Sequence, residues 1–159
     1  MIISNSSCLI ILDKLDRLTV LKELYGTVTI PKAVQEEVFS EKETPNWIKV
    51  VEIRQPAAPR LLEKNLGAGE REAIALFLES TADLLILDNL AARQVARKLG
   101  IPFTGVVGVL LAAKREGLID TVKDTLDEMI RQDFRLSKTV YESALNLAGE
   151  PAEHKIMEG

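Results

Sequence analysis

Residues 84–87 are four apolar side chains in a row, Leu-Leu-Ile-Leu, followed directly by Asp88 and Asn89. A run this short and without polar alternation suits a strand covered on both faces, which occurs chiefly in parallel sheets flanked by helices. Other short apolar runs recur along the chain, at 1–3, 27–30, 48–53 and 102–104. Helical patterns lie between them. Leu18, Leu21 and Leu24 form a stripe over 15–25 that ends at Gly26, and Pro31 opens a helix carrying Val34 and Val38. Further helices are predicted over 70–79, 89–99 and 105–115, and Asp120 and Ser137 are expected to cap two final ones. Strands alternating with helices give an α/β fold with a parallel sheet and helices on both faces. Residues 54–60, with Pro56 and Pro59, read as a loop.

The 159 residues suit one domain, assigned to 1–150, with 151–159 as a tail; 47% hydrophobic content is enough to fill its core. Acids outnumber bases, 24 to 20, for a net charge of -4, which argues against a surface that is basic throughout. A local basic patch beside an acidic site remains compatible with it. Cys8 is the only cysteine, so no disulfide forms within the chain, and a reducing, cytoplasmic location is expected. Cys8 reads as a small buried hydrophobe. With His154 alone in the polar tail, neither a Cys/His zinc cluster nor histidine catalysis has the residues it needs. No apolar run approaches the roughly 18 residues of a membrane span, and the start has no basic segment of a signal peptide.

In a parallel α/β sheet, ligands bind beyond the carboxyl ends of the strands. Two runs end there in polar residues: Ser4-Asn5-Ser6-Ser7 after the first, and Asp88-Asn89 after residues 84–87. Helix N-capping would account for either pair. At about 100° per residue, Glu37 falls with Ala33 and Val34 on the apolar face of its helix, and Glu70 falls with Ile74 and Phe77. Glu72 lies at the edge of that face. A carboxylate on a core-facing stripe is costly unless paired or bound to a cation. Glu70 is also accounted for as a first-turn acid on the helix dipole, and Glu37 as an acid paired with an arginine. Taken together, inward acids near strand ends suggest an oxygen-lined site for Mg²⁺ or Mn²⁺.

The order of Ser4-Asn5-Ser6-Ser7, Pro31-x-x-Val34-x-x-Glu37-Val38, Gly69-Glu70-x-x-Ala73-Ile74-Ala75-Leu76 and Leu85-Ile86-Leu87-Asp88-Asn89 resembles a PIN domain. Thr104-Gly105-Val106-Val107-Gly108-Val109-Leu110 and Phe134-Arg135-Leu136-Ser137 resemble the prokaryotic, VapC-like branch of that family. The resemblance implies a three-layer α/β/α fold with a central, mainly parallel sheet of four to five strands. It also implies a metal-dependent ribonuclease, as in the toxins of toxin–antitoxin pairs, with Mg²⁺ or Mn²⁺ as cofactor. The family's acidic positions fall on Asn5, Glu37, Glu70 and Asp88, with Ser7, Glu72 and Asn89 in support. The first position departs from the pattern, because Asn5 stands where the family usually has Asp. An amide keeps an oxygen that can ligate a cation but gives up a full charge. An RNA substrate, a cognate antitoxin and a homodimer are the implied partners.

Arg71 and Arg93 are candidate RNA contacts; Arg71, Arg93, Arg97 and Lys98 also read as ordinary charge on exposed helix faces. Two rival readings stay open. One is a PIN-like module with weak or no catalysis that binds RNA or a protein. The other is a nucleotide-binding or phosphoaspartyl α/β domain, suggested by Gly67-Ala68-Gly69-Glu70, which lacks the full glycine-loop spacing.

Overall fold

The computed structural model describes residues 1–56, 58–62 and 65–151. Five strands, β1 (Ile2–Ser4), β2 (Val28–Pro31), β3 (Ile48–Val51), β4 (Leu84–Ile86) and β5 (Phe103–Thr104), form one sheet in the order β3-β2-β1-β4-β5. Every pairing is parallel. β1 is central: Ile3 lies opposite Thr29 on one side and Leu85 on the other.

Among the described residues, eight α-helices connect or follow the strands: α1 (Ser6–Lys14), α2 (Thr19–Tyr25), α3 (Lys32–Val38), α4 (Ala68–Leu78), α5 (Leu90–Lys98), α6 (Val106–Arg115), α7 (Val122–Arg131) and α8 (Lys138–Leu147). The period of two along β4 divides the core. Leu85 and Leu87 point to one side, where Ile74 and Leu76 of α4 and Val95 and Ala96 of α5 pack on them. Ile86 points to the other side, into a larger core with Leu9 and Leu12 of α1, Leu21 of α2, Leu110 of α6 and Leu126 of α7. The three-layer α/β/α arrangement with a parallel sheet is therefore present, and the apolar run at 84–87 is what requires both outer layers.

Local readings differ from the structure in several places. The segment after β1 is a helix, α1, that the serine cluster and the β-branched Ile10 and Ile11 concealed; Cys8, Leu9, Ile11 and Leu12 line its buried stripe. The helix expected over 15–25 starts only at Thr19, because the chain turns at Asp16, whose φ is +59°. Arg17 N–H closes that turn on Leu12 O at 2.8 Å. Pro31 is the last residue of β2 and the N-cap of α3, not its first helical residue. Thr121, not Asp120, caps α7, whereas Ser137 caps α8 as expected, accepting the Val140 N–H. The 54–60 loop runs into a 3₁₀ turn, Ala58–Leu61. Most of the tail assigned to 151–159, including His154, lies outside the described residues.

Candidate active site

The strand order reverses between β1 and β4, since β2 and β3 lie to one side of β1 and β5 lies beyond β4. Such a switch point opens a crevice beyond the carboxyl ends of the two strands. The Asn5 N–H donates to Ile86 O at 3.0 Å, so it ties the end of β1 to the end of β4 at that crevice.

Asn5 is the N-cap of α1 by backbone conformation, but its side chain makes no capping bond. It is 1% exposed, and its Oδ1 and Nδ2 are both buried without a hydrogen-bond partner. Ser6 Oγ, in a residue 8% exposed, is buried and faces the Glu37 carboxylate. Unsatisfied buried polar atoms cost about 1–3 kcal/mol each. Two of them on Asn5 mark a place whose side chain is not chosen for stability alone. Asn89 is different. Its side chain accepts the Ala92 N–H at 3.1 Å, so it is a working cap of α5.

Glu37 reaches the crevice from α3. A β-carbon on Gly69 would collide with Glu37 Oε1 and lie 3.0 Å from Ser6 Oγ, so the bare glycine of α4 forms the floor under both groups. Glu37 is exposed, which corrects its assignment to the core-facing stripe: it sits at the rim, with its carboxylate laid over Gly69. Partial burial pushes the Glu37 carboxyl above its ordinary range; the nearby Ser6 hydroxyl and Gly69 N–H oppose this, and repulsion from Glu70 and Glu72 adds to it. Glu70 is half-buried in the first turn of α4, and its Oε2 lies 2.6 Å from where a β-carbon on Gly67 would be. Glu72 Oε1 accepts the Ala33 N–H at 3.1 Å and so satisfies a free donor in the first turn of α3. Ser7 is half-buried in the first turn of α1.

Asp88 follows β4 and faces another way. Its two oxygens accept the Val106 N–H at 3.0 and 3.2 Å, at the start of α6, and Oδ1 lies 3.5 Å from Arg93 Nη2. Burial raises the Asp88 carboxyl above its ordinary range, while the Val106 N–H and the Arg93 charge pull it back. Gly105 leaves room for this arrangement: a β-carbon there would strike Arg93 Nη2 and lie 2.5 Å from Asp88 Oδ1. Gly108 does the same for the Thr104 hydroxyl, so both glycines of the Thr104–Leu110 motif are accounted for by close approach.

The acids are thus divided. Glu37, Glu70 and Glu72 lie on the α3–α4 side and Asp88 on the β4–α6 side, while Asn5 follows the central strand and stands at the N-cap of α1. Among the described residues, no three His, Cys, Asp or Glu side chains form a group that could hold a metal ion. The side chains at the crevice offer oxygen donors, and a divalent cation would relieve the Glu37–Glu70 repulsion. In donor chemistry they fit a hard cation such as Mg²⁺ or Mn²⁺. Cys8 lies buried below, its thiol pushed well up by burial and, to a lesser degree, by the Asp88 charge, as expected of an inert packing residue.

The two arginines considered for RNA are both engaged. Arg71 Nε donates to Leu66 O at 2.9 Å, and Arg93 Nε donates to Leu87 O at 2.9 Å. Ser6, Gly69 and Gly105 were not singled out from the sequence. Their signal was present in the serine cluster and the glycine positions, but their role depends on which side chains other elements bring to them. No helix among the described residues is long and apolar enough to cross a membrane. Comparison with curated proteins and with solved structures returns no match. A family model described as "DUF3368: PIN domain" matches residues 1–150, and the chain therefore belongs to the PIN-domain family.

Proposed function

We propose that the chain is a divalent-metal-dependent ribonuclease, the toxin component of a toxin–antitoxin pair, that hydrolyses RNA phosphodiesters at the crevice between β1 and β4. The observation that carries this reading is the buried, unpartnered Asn5 side chain at the junction of β1 and β4, followed by Ser6, whose hydroxyl shares the floor of Gly69 with the Glu37 carboxylate. Family membership supports it, since PIN domains are typically nucleases that use divalent metals. Glu37, Glu70 and Asn5 would hold the ion, with Ser6 and Ser7 completing the oxygen lining. Bound there, Mg²⁺ or Mn²⁺ supplies Lewis acidity at the phosphoryl oxygen and lowers the pKa of the attacking water. Glu37 and Glu70 orient that water, and Asp88 shapes the opposite wall of the crevice. An antitoxin segment covering this acidic site, and a homodimer, complete the reading.

A second reading, a PIN module of weak or no catalysis that binds RNA or a protein, is favoured by one observation: an amide stands at position 5, and the remaining acids are split between two walls. One experiment separates the two. RNA cleavage is measured with Mn²⁺ for the native chain, Asn5→Asp and Glu37→Gln, and Mn²⁺ binding is followed by calorimetry. The ribonuclease reading expects cleavage by the native chain, its loss in Glu37→Gln, and growth arrest on expression of the native chain alone. Absence of cleavage by both the native and Asn5→Asp chains overturns it in favour of the binding module.

A further inference from the structure

Arg93 lies beside Asp88 at the crevice, and its position in the sequence suggested an RNA contact. Its surroundings argue for another role. Three features fix the side chain: Nε donates to Leu87 O at 2.9 Å, Nη2 lies 3.5 Å from Asp88 Oδ1, and the guanidinium carbon stands 5.8 Å from the Phe103 ring centroid. The first ties it to the residue just before Asp88, the second to Asp88 itself, and the third to the neighbouring strand. Only a third of the side chain is exposed. Arg97 shares the same ring at 5.4 Å but is exposed, so the two arginines on one helix face differ in freedom. Gly105 is cut to the same arrangement, because a β-carbon there would fall on both Arg93 Nη2 and Asp88 Oδ1.

We infer that Arg93 is a positioning residue which holds the Asp88 carboxylate against the N-terminus of α6, with Gly105 providing the space, and that it does not serve as a phosphate contact for RNA. The planar fork of arginine suits this, because Nε donates to the Leu87 carbonyl while a second nitrogen, Nη2, faces the Asp88 carboxylate, two separate donor positions that the single nitrogen of lysine does not supply. The pairing also gives Asp88 a permanent counter-charge on its own wall of the crevice. The role in RNA hydrolysis rests on the ribonuclease reading above; the lock on Asp88 does not.

The test uses the full chain with Arg93→Ala, Arg93→Lys, Gly105→Ala and the double variant Arg93→Ala/Gly105→Ala. The backbone amide resonance of Val106 reports where Asp88 sits, and is read without metal. Steady-state cleavage of a short RNA with Mn²⁺ then separates kcat from KM. Each single variant is expected to shift the Val106 resonance in the direction given by Asp88→Asn, and to lower kcat by about tenfold or more. KM is expected to stay within about twofold. Lysine does not rescue, and the double variant loses no more than the worse single one, as for two residues acting through one arrangement. If Arg93→Ala raises KM with kcat unchanged, or if the Val106 resonance stays in place, the inference is overturned. Should the native chain cleave no RNA while the Val106 resonance moves as expected, the ribonuclease reading falls and the lock stands.

Discussion

The Glu37 carboxylate occupies the space that a β-carbon on Gly69 would fill. Gly69 is inside α4, where alanine is favoured over glycine by roughly 0.5–1 kcal/mol. Gly69→Ala therefore sets helix propensity against the site. The expected outcome is a chain that unfolds at the same or a higher temperature but binds Mn²⁺ at least about tenfold more weakly, as displaced ligands do. Thermal melting and calorimetry on one preparation check both halves; unchanged Mn²⁺ affinity would show that Glu37 does not hold the ion.

The Glu37 and Asp88 carboxyls both lie above their ordinary values. The folded chain then holds protons that the unfolded chain has released, so stability from these groups is present at acid pH and is lost as pH rises through their folded values. In EDTA, the native chain is expected to melt at a higher temperature near pH 5.5 than near pH 7, by a margin that shrinks in Glu37→Gln and again in Asp88→Asn. Asp127 and Glu150, lowered by their ion pairs and hydrogen bonds, act in the opposite sense at more acidic pH, so the comparison belongs above about pH 5. Mn²⁺ should raise the melting temperature near pH 7 more than near pH 5.5, because it replaces the missing proton.

Asn5→Asp restores the family's usual acid at a position that is 1% exposed. A carboxylate buried there replaces an amide that has no hydrogen-bond partner among the described residues. It is expected to cost more in EDTA than a neutral polar group left unpaired, for which the range is about 1–3 kcal/mol, because a buried charge is harder to desolvate. With Mn²⁺ present the loss should reverse in sign, as a third negative ligand draws the ion in. Urea denaturation with and without the metal reads the crossing; equal destabilisation in both media would place Asn5 outside the ion's reach.

Glu72 was a candidate support for the metal, and its Oε1 accepts the Ala33 N–H, a structural role of its own. Glu72→Ala is expected to lower stability by about 1 kcal/mol, like the loss of a helix cap, while leaving Mn²⁺ affinity within about threefold. Glu72→Gln, which keeps an acceptor, should stay close to the native stability. A loss of metal binding as large as that of Glu37→Gln would return Glu72 to the site.

Much of the fold was legible locally. The run at 84–87 required helices on both faces, and the strands fall within a residue or two of their apolar stretches. The errors share one cause. Ser4-Asn5-Ser6-Ser7 reads as a strand end or a cap, and nothing local says that Ser6 and Ser7 already belong to α1, because that helix is held by the burial of Leu9 and Leu12 against distant residues. The wheel placed Glu37 on the core face because it treated α3 as an isolated cylinder with one buried side. In the fold, α4 meets α3 beside that stripe, so the carboxylate falls at a rim over Gly69.

For the site, the residue types were settled by sequence order: an amide and two hydroxyls after β1, acids opening or ending the helices, and a glycine wherever another side chain must come close. Their division of labour was not. Asn89 and Asp88 are neighbours of similar shape, yet one caps its own helix and the other binds the N-terminus of a helix 18 residues away. Arg71 and Arg93 look equally available in the sequence, and both are committed to carbonyls. Hydrogen-bond partners at long range depend on strand order and helix packing, which a local pattern does not contain. The sequence by itself determined the α/β class, the parallel sheet and which residues could carry oxygen-ligand chemistry; only the tertiary structure decided that Glu37 lies over Gly69 and Asp88 against the N-terminus of α6, with the Asn5 amide buried and Arg93 turned inward to Asp88.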